Sequence, residues 1–151
     1  MIEINKLTID DVERVVELET SYLGETLGKD MLIEEINRGV ACFLKATDND
    51  FIIGYIGGYF IMDEGEILNF VVDEAYRRRG IGTKLINALI NNYPQTKSIV
   101  LEVRKSNIIA QKFYNHLGFH QISTRINYYK NGEDALVLRK EINHDNTCGR
   151  N

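Results

Sequence analysis

The chain has 151 residues, of which 44% are apolar and 26% charged, a length and composition that fit one ordinary globular domain and exclude a disordered or fibrous protein. A formal net charge of −4 argues against a general nucleic-acid binder, which needs a broad basic face. No apolar run approaches the ~20 residues that cross a bilayer, and Met1 to Lys6 lacks the regions of a signal peptide. Cys42 and Cys148 form no metal or redox spacing, which points to a reducing, cytoplasmic setting.

Ile2 to Leu7 alternates as a short strand does. Thr8 with Asp11 reads as a capping box opening a helix whose apolar face carries Val12, Val15, Val16, Leu18 and Leu23. Ser21 to Asp30, with Gly24 and Gly28, forms either a lid or a loose connection. Leu32, Ile33 and Ile36 predict a second short helix ending near Gly39. Two strands follow, Ala41 to Ala46 and Phe51 to Phe60, joined by a turn at Thr47 to Asp50. Glu66 to Val72 is a strand feeding a glycine-containing loop, and Ile81 to Asn92 is the helix leaving it. Lys97 to Arg104 is another strand, and Ser106 or Asn107 caps a helix that closes at Leu117-Gly118. Phe119 to Tyr129 and Ala135 to Lys140 pair as a hairpin around Asn131-Gly132. Strands with interspersed helices predict an α/β or α+β fold with a mixed sheet. The chain reads as a single domain over 1–142, with a frayed polar tail over 143–151.

The loop carries the first chemistry. Phe70-Val71-Val72 gives way to an acidic pair, then Arg77, Arg78 and Arg79, and the chain enters a helix through Gly80, Ile81, Gly82 and Thr83. Bare amides and positive charge at a helix N-terminus suit a phosphate-bearing ligand, and a Cβ at either glycine would hold a pyrophosphate away. Leu85 rules out the dinucleotide fingerprint, and the Walker A spacing is absent. A solvated basic turn shaped by its glycines is the competing reading. The second block is Leu101-Glu102-Val103-Arg104, where Ile99, Leu101 and Val103 face one side and Val100, Glu102 and Arg104 the other. Glu102 is either a general base or one half of a pair with Arg104. On the next helix Ile109, Phe113 and Leu117 face the core, and Tyr114 is offset, as a ring at the core edge or as a general acid. His116 and His120 lack a third ligand at metal-binding spacing, so no metal site is predicted.

Arg77-x-x-Gly80-x-Gly82, Leu101-Glu102-Val103-Arg104-x-Ser106-Asn107, Phe113-Tyr114-x-x-Leu117-Gly118-Phe119 and the Asn127-Tyr128-Tyr129…Glu133-Asp134-Ala135 hairpin occur in that order. Together they resemble the GNAT family of N-acetyltransferases, and within it the branch that modifies the N-terminal alanine of a small-subunit ribosomal protein. The resemblance covers residues 63–138. It implies a central mixed, mostly antiparallel sheet flanked by helices, and acetyl-CoA as cosubstrate. It also implies direct transfer of acetyl to an amine without a covalent enzyme intermediate. Glu102 would be the general base and Tyr114 the general acid. Phe70, Val71 and Val72 would offer backbone groups to the acetyl and pantetheine arm, Arg77 through Thr83 would hold the pyrophosphate, and Asn107 would contact the cofactor arm. Tyr128 and Tyr129 would line the peptide groove of a monomer or weak dimer. The Pro-Trp-Ser-like segment of that branch is missing from Ser21 to Asp30, which leaves the acceptor open. A lysine side chain, a small amine, or a non-catalytic acyl-CoA-binding module are the alternatives. An α-amine, with a pKa of about 7.7–8.0, is more readily deprotonated than a lysine near 10.4, which favours the N-terminal acceptor.

Overall fold

The computed structural model describes residues 1–23 and 28–142. The glycine at position 24, the tail over 143–151 with Cys148 and His144, and the side chain of Leu23 lie outside the described residues. In chain order the elements are β1 (Ile2–Lys6), α1 (Val12–Leu23), α2 (Lys29–Arg38), β2 (Cys42–Asp48), β3 (Phe51–Ile61), β4 (Glu64–Val72), α3 (Ile81–Asn91), β5 (Ser98–Arg104), α4 (Ile108–His116), β6 (His120–Arg125) and β7 (Ala135–Glu141). The strands form a sheet in the order β1-β2-β3-β4-β5-β7-β6, mostly antiparallel, with β4 and β5 parallel. The chain folds as two compact units, one of Met1–Tyr59 with Leu68–Tyr93, the other of Phe60–Ile67 with the chain from Pro94 onward.

In the first unit the predicted capping box forms: the Thr8 amide donates to Asp11 Oδ2 at 2.8 Å, and Lys45 Nζ reaches the same oxygen at 2.8 Å. α1 then buries Val12, Val15 and Leu18 with Leu32 of α2 against Phe43, Ile52, Tyr55 and Val71. α3 buries Ile81, Leu85, Ile86, Leu89 and Ile90, the stripe of a one-faced helix, and packs on β1 and β2. Residues 52–58 of β3 are buried on both faces, as befits an interior strand.

In the second unit β5 alternates as predicted, with Ile99, Leu101 and Val103 buried and Val100, Glu102 and Arg104 half-buried. It pairs antiparallel with β7, setting Glu102 opposite Val137 and Arg104 opposite Ala135. β6 is shorter than its alternation suggested, because the ladder stops at Arg125, opposite Ala135, and not at Tyr129. Local bonds take over beyond it. The Asn127 amide donates to Asp134 Oδ1 at 2.9 Å, with Asn127 at φ +54°, and the Gly132 amide closes a turn onto the Tyr129 carbonyl at 2.8 Å. Asn131-Gly132 is therefore the tip of a longer excursion over 126–134, not a two-residue hairpin turn. In α4 the predicted apolar face is only half-buried at Phe113 and Leu117, and fails at Ile109, which is 75% exposed. Ile108 and Ile109 sit in the first turn, where the Asn107 cap rather than burial holds the backbone.

Candidate functional site

The glycine loop is built in the first unit. Phe70 and Val71 are buried and Val72 half-buried at the end of β4. β3 approaches so closely that a Cβ on Gly54 would sit 2.9 Å from the Val71 carbonyl oxygen, so only glycine fits there. The Asp73 amide continues this contact, donating to the Ile53 carbonyl at 2.7 Å. Asp73 then organises the turn. Its carboxylate accepts from the Ala75 amide at 3.0 Å, the Tyr22 hydroxyl at 3.1 Å and Arg14 at 2.9 Å. Burial alone would raise its pKa, but these donors together hold it below the ordinary carboxylate value.

Arg77 leaves this turn with its Nε donating to the Val72 carbonyl at 3.1 Å and its guanidinium 4.9 Å from the Tyr22 ring. Arg79 lies over Tyr76 at 5.1 Å, and Arg78 takes a left-handed φ of +66°. Gly80 follows at φ +75° as the N-cap of α3, with no side chain capping the helix and open space where a Cβ would stand. Ile81 and Gly82 are buried and Thr83 exposed in the first turn. An uncapped helix N-terminus beside three exposed arginines is the arrangement that a pyrophosphate would need.

Glu102 belongs to the second unit, together with Tyr114, Tyr128 and Tyr129. The Glu102–Arg104 pair does not form. Glu102 Oε2 lies instead 2.6 Å from Arg125 Nε, an ion pair without the alignment of a hydrogen bond. Tyr128 has its pKa raised by the charge of Glu102 first, then by burial, with Glu66 adding to the effect. Arg104 turns to Glu133 at 3.1 Å and lies 3.9 Å over the Tyr129 ring, while the rings of Tyr128 and Tyr129 meet edge-on at 5.1 Å. Glu133 also accepts from the Ser106 amide at 2.6 Å, so one carboxylate ties the 126–134 excursion to the corner between β5 and α4.

Tyr114 packs its ring against Phe113 and Phe119, at 5.6 and 5.8 Å between centroids. Burial of the phenol, helped by Tyr129, pushes its pKa above the ordinary tyrosine value, so it keeps its proton at neutral pH. Asn107, rather than Ser106, caps α4, its Oδ1 accepting from the Ala110 amide at 3.0 Å. The second unit thus brings Glu102 to Tyr128 and Tyr114 to Tyr129.

Sequence reasoning missed Glu19. It is fully buried in α1, where it accepts from the Tyr55 hydroxyl and from Asn69 Nδ2 at 2.6 Å. The signal was present, since Glu19 stands four residues after Val15 and seven after Val12, on the buried stripe itself. It also missed Arg125, which lies beyond the strand pair that the alternation of β5 could reveal.

The model of the acetyltransferase (GNAT) family matches residues 11–119. The ribosomal protein bS18-alanine N-acetyltransferase of Haemophilus ducreyi is 36% identical over 142 residues, spanning 89% of this chain and 97% of that protein. An N-alpha-acetyltransferase of Saccharolobus solfataricus is 29% identical over 151 residues, spanning 89% of each chain. Among solved structures, Ard1 from Thermoplasma volcanium superposes with a TM-score of 0.85 at 26% identity, covering 94% of this chain and 98% of that one. Fold, glycine loop and relatives agree that the chain belongs to the GNAT family and is an N-acetyltransferase that uses acetyl-CoA.

Proposed function

We propose that the enzyme acetylates the N-terminal α-amine of a protein, with the N-terminal alanine of a small-subunit ribosomal protein as its leading acceptor. The observation that carries this reading is Glu102, a half-buried carboxylate between the buried Leu101 and Val103 of β5, with a cationic side chain, Arg125, already seated on it. The names of the Haemophilus and Saccharolobus relatives support an N-terminal acceptor. Residues 1–142 act as one catalytic domain in this account, since the family match runs through both compact units. The reaction takes place in the cytoplasm on a monomer or weak dimer.

Acetyl-CoA supplies an activated acyl group on sulfur. The amides of Gly80 to Thr83, with Arg77, Arg78 and Arg79, bind its pyrophosphate. The backbone of Phe70, Val71 and Val72 and the Asn107 side chain orient the arm. Tyr128 and Tyr129 hold the acceptor peptide. Glu102 takes a proton from the incoming ammonium, directly or through one water, so that the nitrogen lone pair can form the new N–C bond. As the C–S bond breaks, Tyr114 gives its phenol proton to the departing sulfur, a role that suits a phenol still protonated at neutral pH; the nitrogen sheds its second proton to water as it becomes an amide, and water returns a proton to the phenolate. Neither cysteine enters the reaction.

The test is CoA release from acetyl-CoA with peptides starting in Ala, Ser or Met, the same peptides with blocked N-termini, free lysine and polyamines. Release only with free peptide N-termini, fastest with Ala, is the expected result. Release with blocked lysine peptides or polyamines moves the acceptor to a side chain or small amine. Acetyl-CoA binding without release on any acceptor leaves a binding module.

A further inference from the structure

We propose that Arg125 is a built-in stand-in for the acceptor ammonium, occupying Glu102 until a cationic amine displaces it. The inference rests on the reading of Glu102 as the base. Three features of the second unit carry it.

The first is geometry. β6 does not adjoin β5, because β7 lies between them. The register sets both Arg104 of β5 and Arg125 of β6 opposite Ala135, and Val137 opposite both Glu102 and Ser123. Arg125 therefore reaches across the intervening strand, over small and β-branched side chains, to place Nε 2.6 Å from Glu102 Oε2. A guanidinium that spans a strand to meet the proposed base holds the place that an ammonium must take.

The second is asymmetry of exposure. The Arg125 side chain is 60% exposed and that of Glu102 only 21%. The arginine can withdraw into water, while the carboxylate stays fixed in its strand. Arg125 is also the last residue of the β6 ladder, so its backbone is anchored while its side chain stands at the edge of the 126–134 excursion.

The third is the quality of the contact. Glu102 Oε2 is buried and receives no aligned hydrogen bond from Arg125. A compact ammonium, with three donors free to rotate, can meet that oxygen along its lone pair where the rigid fork does not. The charged and titratable groups around Glu102 are Glu66 from β4, Arg104 on the same face of β5, Arg125 of β6 and Tyr128 of the excursion, while β7 faces it with Val137. Arg104 is already engaged by Glu133. Arg125 is the cation seated on Glu102, and the charge of Glu66 reaches Tyr128 beside it, an arrangement that admits a cationic newcomer and penalises an anionic one.

The test uses the full chain, acetyl-CoA and an Ala-starting peptide without acidic residues, comparing wild type with Arg125→Gln, Arg125→Lys and Glu102→Gln. Exchange of a largely exposed ion pair predicts that Arg125→Gln lowers the acceptor KM by roughly 1.5- to 5-fold. Acetyl-CoA affinity stays unchanged. Arg125→Lys, which keeps the cation, holds the acceptor KM near the wild-type value, and the effect of Arg125→Gln falls on the acceptor KM more than on kcat. An acceptor KM that stays the same or rises in Arg125→Gln overturns the inference. If Glu102→Gln lowers kcat by about 10²-fold or more while Arg125→Gln leaves the acceptor KM untouched, Arg125 fails and Glu102 stands. Undiminished turnover in Glu102→Gln overturns the reading of Glu102 as the base, and the inference falls with it.

Discussion

Glu102 sits among apolar neighbours on β5 and yet meets Tyr128 and Arg125, so its carboxylate is partnered without being sealed from an incoming amine. Replacing it by glutamine keeps its size and removes its basicity. We expect Glu102→Gln to lower kcat by about 10²- to 10⁴-fold, the span of general-base catalysis, with acetyl-CoA affinity by calorimetry unchanged. The alternation of β5 made this residue legible from sequence. Its partner was not, because Arg125 arrives from a strand two places away, a relation that no local spacing encodes. Glu19 carries a prediction about stability and not chemistry. Glu19→Leu leaves Tyr55 and Asn69 without the carboxylate that satisfies them, at a cost of about 1–3 kcal/mol for each orphaned group, read by denaturant unfolding.

At the level of elements, the turn between β4 and α3 depends on one carboxylate. Asp73 gathers the Ala75 amide, the Tyr22 hydroxyl and Arg14, and its pKa lies below its unfolded value. Its stabilising contribution is therefore complete above the ordinary value of 3.8 and is lost as pH falls through the lower folded value. Asp73→Asn should melt below wild type at neutral pH, and the gap should close as the pH falls below that range. Equal melting temperatures at neutral pH would show that the Asp73 contacts contribute nothing. The same logic places Glu133 as the tie of the 126–134 excursion. Glu133→Ala should raise the acceptor KM through misplacement of Tyr128 and Tyr129, while acetyl-CoA affinity holds, and steady-state kinetics with each substrate varied in turn would show the split. Most elements were legible because their periodicity is strong: α3 shows a one-faced stripe and β5 strict alternation. The excursion was not, since Asn127, Asp134 and Glu133 satisfy the backbone locally and end the ladder early at Arg125. Ile109 misled for a related reason, because the side-chain cap at Asn107 holds the first turn of α4 without burial of its apolar residues.

Across the whole molecule, the glycine loop belongs to one compact unit and the proposed base to the other, and the family match runs through both. The loop motif announced the cosubstrate from sequence because phosphate recognition needs glycine and arginine at fixed spacing around a helix start. The proposed acceptor site was less legible, since its side chains would come from β5, β6 and the 126–134 excursion. A charge reversal at Arg77 separates the two functions. Arg77→Glu should weaken acetyl-CoA binding, about tenfold for each 1.4 kcal/mol lost, and leave the preference among acceptor peptides as it is. Calorimetry and the peptide panel read the two effects independently. Fragment mass spectrometry decides most directly between an N-terminal and a side-chain acceptor, on one peptide that carries both a free N-terminal Ala and an internal lysine, after incubation with enzyme and acetyl-CoA. Acetyl is expected on the alanine nitrogen, greatly reduced in Glu102→Gln. Acetyl on the lysine, or equal modification of the alanine by wild type and Glu102→Gln, would contradict it.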